Sequence, residues 1–166
     1  SLFGYGSFDE ISVRNSAEAL LYFSLGLPAF SLIKIFSTFL FARNNTKTPF
    51  VYSFLSVILN IIISLTFFSK LGFIIIPIAT TISSWFNGII LLIFVVNKNY
   101  FKFSSILITQ IIKILLSNLI AIIVFYVLIN FLANFLVYSN QYKLFFIILI
   151  VFLTFVSYIG VSIIIK

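Results

Sequence analysis

The chain has 166 residues, 63% hydrophobic and only 8% charged, with a net charge of +7. Soluble domains carry about 25% charged residues and at this length bury only about two-thirds of the surface their unfolded chains expose, so a water-soluble globule is excluded; the hydrophobicity excludes disorder. With no Cys and no His, disulfide scaffolds, thiol nucleophiles, zinc sites and imidazole bases are excluded too, which leaves an integral membrane protein.

Residues 1–16 read as an extracytoplasmic loop. Ser7 and Glu10 are spaced to cap a short surface helix. The Gly4-Tyr5-Gly6 run has no strand before it and lacks the rest of a phosphate-loop pattern. The three acids, Asp9, Glu10 and Glu18, fall within the first 18 residues, so this chain holds no paired-carboxylate site at depth. The chain starts at Ser1 with no charged segment ahead of a short apolar one, which reads as a fragment lacking upstream helices rather than as a signal peptide.

A bilayer core of about 30 Å takes about 20 helical residues, and five segments have that length. They run roughly over residues 17–42, 50–68, 73–96, 106–132 and 144–165, separated by Asn44, Asn45 and Pro49, by Lys70 and Gly72, by residues 97–105 and by residues 134–143. Barrel strands would be about ten residues long and alternate polar with apolar; these runs are twice that length without alternation. A helix also satisfies its own backbone in lipid. The reading is an all-α membrane protein with five transmembrane helices: residues 17–103 carry three and residues 104–166 carry two.

The basic residues are scattered between the spans, a pattern of topology control rather than of nucleic-acid binding. Arg43, Lys47, Lys98, Lys102 and Lys166 fall on one side, with Lys113 nearby; Arg14, Lys70 and Lys143 fall on the other with the acids. The richer side is expected in the cytoplasm, which places the C-terminus there. Asn44-Asn45-Thr46 matches a glycosylation sequon but falls in a cytoplasmic loop.

Polar residues are costly in hydrocarbon, so their angular positions carry information. Ser24, Ser31, Lys34 and Thr38 lie within about 80° of one another on the first span. Ser53, Ser56, Asn60 and Ser64 share a face of the second, and Thr80, Ser83, Ser84 and Asn87 a face of the third. Gln110, Lys113 and Ser117 line up on the fourth. Two readings stay open: interhelical hydrogen bonding, or a hydrated substrate path. Asn60 and Asn87 carry most weight, because a buried amide needs several partners. Lys34 lies nine residues before Arg43, about 13 Å from the end of its helix, about twice the reach of a snorkelling stem. It lines a cavity that attracts an anion, or it snorkels or pairs with an absent helix; Lys113 is close enough to the edge for snorkelling to explain it. Pro28 and Pro77 are expected to kink their helices.

The stretches LFGYGSF at 2–8 and GLPAFSLIKIFSTFLFARNNTKTP at 26–49 resemble the MurJ (MviN) family of lipid II flippases, within the multidrug/oligosaccharidyl-lipid/polysaccharide exporter superfamily. The matching positions are Gly26, Leu27, Pro28, Ala29, Phe30, Lys34, Phe41, Ala42, Arg43, Thr46, Lys47, Thr48 and Pro49. SVILNIIISL and LGF…ATTISSWFNGIILL resemble the family's next two helices, so the resemblance covers roughly residues 2–103. Ile75 and Pro77 stand where the family pattern has Gly and small residues.

The resemblance implies a MATE-like fold of fourteen helices in two lobes, of which these five would be the last, in the C-terminal lobe, with the N-terminal lobe absent. It implies a flippase of the bacterial cytoplasmic membrane that moves lipid II, an undecaprenyl-pyrophosphate-linked disaccharide peptide, by alternating access for peptidoglycan synthesis. Its partners are lipid II, membrane lipids and the absent lobe, with no nucleic acid, cofactor or metal. The expected substrate-binding residues are Lys34, Ser31, Thr38, Ser24, Asn60 and Asn87, and the expected cytoplasmic loop motif is Arg43, Thr46, Lys47, Thr48 and Pro49. The last two spans, poor in polar residues, suit a groove wall for the polyprenyl tail. The alternatives are a related lipid-linked oligosaccharide or multidrug exporter and a structural bundle without a transport path. An enzyme is the least favoured, since no general base is embedded in the membrane.

Overall fold

The computed structural model describes residues 10–136 and 142–164. Their regular structure is helical: α1 (Glu10–Ala42), α2 (Lys47–Leu71), α3 (Ile75–Asn97), α4 (Ser105–Phe131) and α5 (Lys143–Ile164), with short 3-10 turns at Gly72–Ile74 and Ala133–Phe135. Four helical segments among the described residues are long and apolar enough to cross a membrane: Ile11–Ala42, Lys47–Asn97, Ser105–Phe131 and Lys143–Ile164. The second spans 51 residues and contains both α2 and α3. The expected Ser7 cap, the LFGYGSF stretch and Lys166 lie outside the described residues.

Helix ends follow local chemistry. Ser104, in extended backbone, accepts the Leu107 N–H on its hydroxyl at 3.2 Å and starts α4, a standard N-cap. The Asn45 side chain accepts the Thr48 N–H at 3.2 Å at the start of α2. α2 stops at Gly72, whose φ of 61° favours glycine. Helix α1 begins at Glu10, ahead of the expected boundary at Ala17, so residues 10–16 are helical rather than loop; Arg14 and Glu18 form an exposed i,i+4 ion pair there at 3.1 Å. Pro28 lies inside α1 as expected. Pro77 is instead the third residue of α3, where a backbone N–H would have no intrahelical acceptor, so it breaks no bond and the expected kink has no cause.

The chain divides into two compact units at residues 102 and 103. In the first, α3 is the centre and packs on both α1 and α2, which scarcely touch each other. Bonds from Asn60 to Thr80 and from Asn87 to Ser53 run α2 and α3 antiparallel. Bonds from Thr81 to Tyr22 and from Trp85 to Leu25 run α1 and α3 parallel. Phe36, Leu40, Leu91 and Val95 form the buried core. Ile75 and Pro77, the departures from the family pattern, are both buried, so α3 packs closely despite them.

In the second unit α4 and α5 pair. Ser117 and Ile150 are its buried residues, and Phe135 stacks on Phe146 at 4.6 Å beside the turn. Most large apolar side chains in both units face outward, Phe131 reaching 80% exposure. In water such a surface would aggregate; in lipid it is the solvated face.

Candidate functional site

The polar stripes of α2 and α3 meet. Thr80, Ser83, Ser84 and Asn87 recur at helical spacing on α3 and oppose Ser53, Ser56 and Asn60 on α2, enclosing a cleft of about 440 Å³. Phe30 and Ile33 of α1, with Val57 and Ile61, complete its walls. The Asn60 amide spends both protons across the interface, donating to the Thr80 hydroxyl at 3.2 Å and the Ser83 hydroxyl at 3.3 Å. Its carbonyl accepts from Ser64 at 3.3 Å. Asn87 donates to the Ser53 hydroxyl at 3.2 Å.

Proton accounting sets what this cleft can bind. Ser56 donates to the Tyr52 carbonyl at 2.8 Å, Thr80 to Ile76 at 2.8 Å, and Ser83 and Ser84 both to the Thr80 carbonyl, at 3.1 and 2.7 Å. Each hydroxyl turns its proton back to its own helix and its lone pairs outward. Asn87 is 6% exposed, and its Oδ1 is a buried acceptor with no partner among the described residues. An unsatisfied buried acceptor costs about 1–3 kcal/mol. The cleft is neutral and rich in acceptors, a surface for hydroxyl or amide N–H donors and a poor one for a phosphate.

The α1–α3 seam is tight. Thr81 donates to the Tyr22 carbonyl at 2.7 Å and the Trp85 indole to the Leu25 carbonyl at 3.0 Å. A Cβ on Gly26 would lie 3.1 Å from the Thr81 hydroxyl and 3.3 Å from the Phe30 ring, so any larger residue makes these neighbours give way. Burying Gly26 and Ala29 against α3 turns Ser24, Ser31, Lys34 and Thr38 outward, and all four are exposed. Ser24 and Ser31 bond back to the Leu21 and Leu27 carbonyls at 2.7 and 3.1 Å.

The expected substrate residues therefore fall in two places. Asn60 and Asn87 line the cleft. Lys34, Ser31, Thr38 and Ser24 form a separate exposed face of α1, on which Lys34 lies about 70° around the helix from the midpoint of Phe30 and Ile33.

The end of this unit that carries Arg43, Lys47 and Lys98 is built from two matched helix caps. Asn44 and Asn99 adopt left-handed backbone, with φ of 58° and 56°. Asn45 N–H and Asn44 N–H bond to the Leu40 and Phe41 carbonyls at 3.0 and 2.9 Å, and Tyr100 and Asn99 bond to Val95 and Val96 at 3.0 and 2.9 Å. Both are Schellman caps. The Arg43 guanidinium lies over Phe39 at 4.8 Å and over Tyr100 at 4.3 Å, tying the α1–α2 loop to the segment after α3. The sequence reading did not anticipate this clamp; its signal was a basic residue followed by Asn at both helix ends. Within the loop motif, Pro49 is buried and Thr46 and Lys47 are exposed.

In the second unit, Phe125, Val151 and Phe155, with Asn118, Thr154 and Tyr158 among them, line an apolar cleft of about 370 Å³ between α4 and α5. Lys113 on α4 is half-buried, and Ser117 donates to its carbonyl at 3.0 Å.

Comparison with known proteins adds an independent line. The family model described as "Lipid II flippase MurJ" matches residues 1–153. A probable lipid II flippase MurJ of Rhizobium meliloti is 33% identical over 132 residues, 80% of this chain and 25% of the relative. One of Rickettsia prowazekii is 39% identical over 82 residues, 49% of this chain and 16% of the relative. The lipid II flippase MurJ of Thermosipho africanus is 29% identical over 122 residues, 74% of this chain and 24% of the relative. The chain spans at most about a quarter of the length of these relatives.

Proposed function

The chain belongs to the lipid II flippase MurJ family and is a multi-pass membrane protein, and from that premise we propose that it forms part of a flippase that carries the lipid-linked peptidoglycan precursor across the bacterial cytoplasmic membrane by alternating access. The observation that carries this reading is the family match over residues 1–153. In this reading α1 to α5 each cross the bilayer, as five helices of the C-terminal lobe of a MATE-like fold, with the N-terminal lobe supplied by sequence outside this chain. Residues 17–103 and 104–166 are its two transmembrane portions.

Each end of the cargo finds a chemical match. Lys34, with Ser24, Ser31 and Thr38 beside it, takes the pyrophosphate, because an ammonium away from bulk water is the strongest phosphate attractor on these helices. The acceptor-rich cleft of Asn60 and Asn87 takes hydroxyl and amide N–H donors of the disaccharide peptide. The α4–α5 cleft takes polyprenyl carbon. The basic end with Arg43, Thr46, Lys47, Thr48 and Pro49 faces the cytoplasm by the excess of positive charge, as does the C-terminus.

The test is growth of a flippase-depleted strain carrying the full-length protein. The parent protein restores growth; failure to do so removes the proposed activity. Lys34→Ala abolishes complementation at unchanged membrane abundance, and normal growth of that variant removes Lys34 from the pathway. For orientation, a cysteine at Asn45 is labelled only from the cytoplasm and one at Ser69 only from outside; the reverse pattern overturns the topology.

A further inference from the structure

Pro28 lies well inside the 33-residue helix α1. Proline has no backbone N–H, so it cannot donate to the carbonyl four residues earlier, and its ring crowds that carbonyl. Here the carbonyl is that of Ser24. In a membrane span a carbonyl without a donor is costly, and a proline is tolerated there because neighbouring helices or side chains supply a replacement. The neighbour of α1 supplies its donors elsewhere. Thr81 and Trp85 of α3 go to the Tyr22 and Leu25 carbonyls, at 2.7 and 3.0 Å. At about 100° per residue, Ser24 lies nearly opposite Gly26 and Ala29, the buried positions through which α1 meets α3. The Ser24 hydroxyl donates to Leu21 at 2.7 Å and the Ser31 hydroxyl to Leu27 at 3.1 Å. No side chain among the described residues donates to the Ser24 carbonyl.

The outer face of α1 is therefore divided by chemistry. Lys34 brings a cation and three donors. Ser24 lies ten residues further from the basic loop, about 15 Å along the axis, and there the carbonyl and the hydroxyl oxygen turn only lone pairs outward. The Ser31 hydroxyl, its proton also spent on its own helix, stands between. Ser24, Pro28, Ser31 and Lys34 are all exposed. A phosphate is drawn to the lysine end and finds no donor at the serine end, which accepts only O–H and N–H groups.

We propose that the Ser24 backbone carbonyl, freed by Pro28, is an acceptor for the carried lipid: it takes a hydroxyl or amide N–H of the disaccharide peptide while Lys34 holds the pyrophosphate. Cation and acceptor together fix the direction in which the cargo lies along α1, its sugars away from the basic loop. Pro28 determines this contact without touching the cargo, because it keeps the helix from closing its own bond. The proposal rests on the reading of the chain as part of a lipid II flippase.

The test is binding of two lipids to the full-length protein in detergent: lipid II, and undecaprenyl pyrophosphate, which lacks the disaccharide peptide. Pro28→Ala returns an N–H to Ser24. It weakens lipid II binding about tenfold, the effect of losing one hydrogen bond, and leaves undecaprenyl pyrophosphate binding unchanged. The unfolding midpoint of the same variant rises, because the helix regains a bond. Pro28→Gly also returns the N–H but keeps the backbone pliant; it weakens lipid II binding as Pro28→Ala does, which separates an acceptor from a flexible hinge, and it stands in if the alanine variant does not fold. Lys34→Ala weakens both lipids. Pro77→Ala, in the first turn of α3, leaves both affinities as they are. Equal weakening of the two lipids by Pro28→Ala, parent-like lipid II binding in Pro28→Gly, or a lowered midpoint in Pro28→Ala, which would give the carbonyl to a donor elsewhere in the protein, would each overturn the acceptor. A parent protein that binds neither lipid removes the flippase reading and this proposal with it; a parent that binds lipid II as tightly as both Pro28 variants removes this proposal alone.

Discussion

The α1–α3 unit and the α4–α5 pair are both rich in Ile, Leu and Phe, yet different forces hold them. Across the first unit, hydrogen bonds run between helices: Asn60 to Thr80 and Ser83, Asn87 to Ser53, Thr81 to Tyr22, Trp85 to Leu25. In the pair, Thr109, Ser117, Asn130, Thr154 and Ser157 donate to carbonyls of their own helices, and Ser117 and Ile150 are buried between the two. Lipid tails are as apolar as leucine, so apolar area alone gives helices little reason to choose one another. Directional bonds and close approach specify the first unit. The second carries an apolar cleft between its two helices.

The sharpest way to break this contrast is to exchange the same atoms in both units. Gly26→Val puts a branched side chain where a single Cβ already lies 3.1 Å from the Thr81 hydroxyl. It should cost about 1–3 kcal/mol, read as a lower unfolding midpoint in detergent. Gly160→Val on α5 meets nothing within 4 Å and should stay within about 0.5 kcal/mol. Equal losses at the two sites would mean that glycine is needed for helix flexibility rather than for the seam.

Next in size is the amide bridge. Asn60→Leu removes two interhelical donors and strands the Ser64 hydroxyl, and should cost about 1–2 kcal/mol. Thr154→Val in the second unit removes only a bond to its own helix and should change stability by less than half of that. A double-mutant cycle of Asn60→Leu with Thr80→Val should recover part of the loss as coupling. A coupling of zero would show the bridge to be incidental.

Much of this organisation was legible in the residues. The helical stretches follow from run length and hydropathy, and the polar stripes of α2 and α3 follow from their helical spacing, though which stripes would meet does not. The rotation of α1 was not legible. Its stripe of Ser24, Ser31, Lys34 and Thr38 looks from the sequence like the α2 and α3 stripes, but Gly26 and Ala29 admit α3 more closely than any polar face could, and small-residue approach outweighs hydroxyl bonding. Pro77 was misread because its cost depends on whether it lies in the first helical turn, a boundary that hydropathy alone does not locate. The Arg43 clamp joins residues far apart in sequence and needs the parallel docking of α1 on α3 before it can form.

A finer distinction concerns Asn87. Its Oδ1 is buried and unpaired, so Asn87→Leu removes an unsatisfied acceptor along with one hydrogen bond to Ser53. Combined with Ser53→Ala, it removes both partners together and should leave stability within about 0.5 kcal/mol of the parent, in contrast to Asn60→Leu. If the cleft handles cargo, complementation should nevertheless fall. Lost stability with intact complementation would make Asn87 a structural amide instead.

The smallest effect belongs to the Arg14–Glu18 pair. Its side chains are 81% and 39% exposed, so water and salt screen the attraction, and ordering two long side chains offsets most of what is left. Glu18→Gln should shift the unfolding midpoint by an amount equivalent to less than about 0.5 kcal/mol, and raising the salt concentration should erase even that. This near-null result bears on the contrast between the units, because it separates charge from hydrogen bonding as the source of specificity in α1–α3. A loss above about 1 kcal/mol that vanished in high salt would mean that the first turns of α1 are fixed by an ion pair. The docking angle of α1, and with it the outward face of Lys34, would then be set at the membrane surface rather than by the Gly26–Thr81 seam within it.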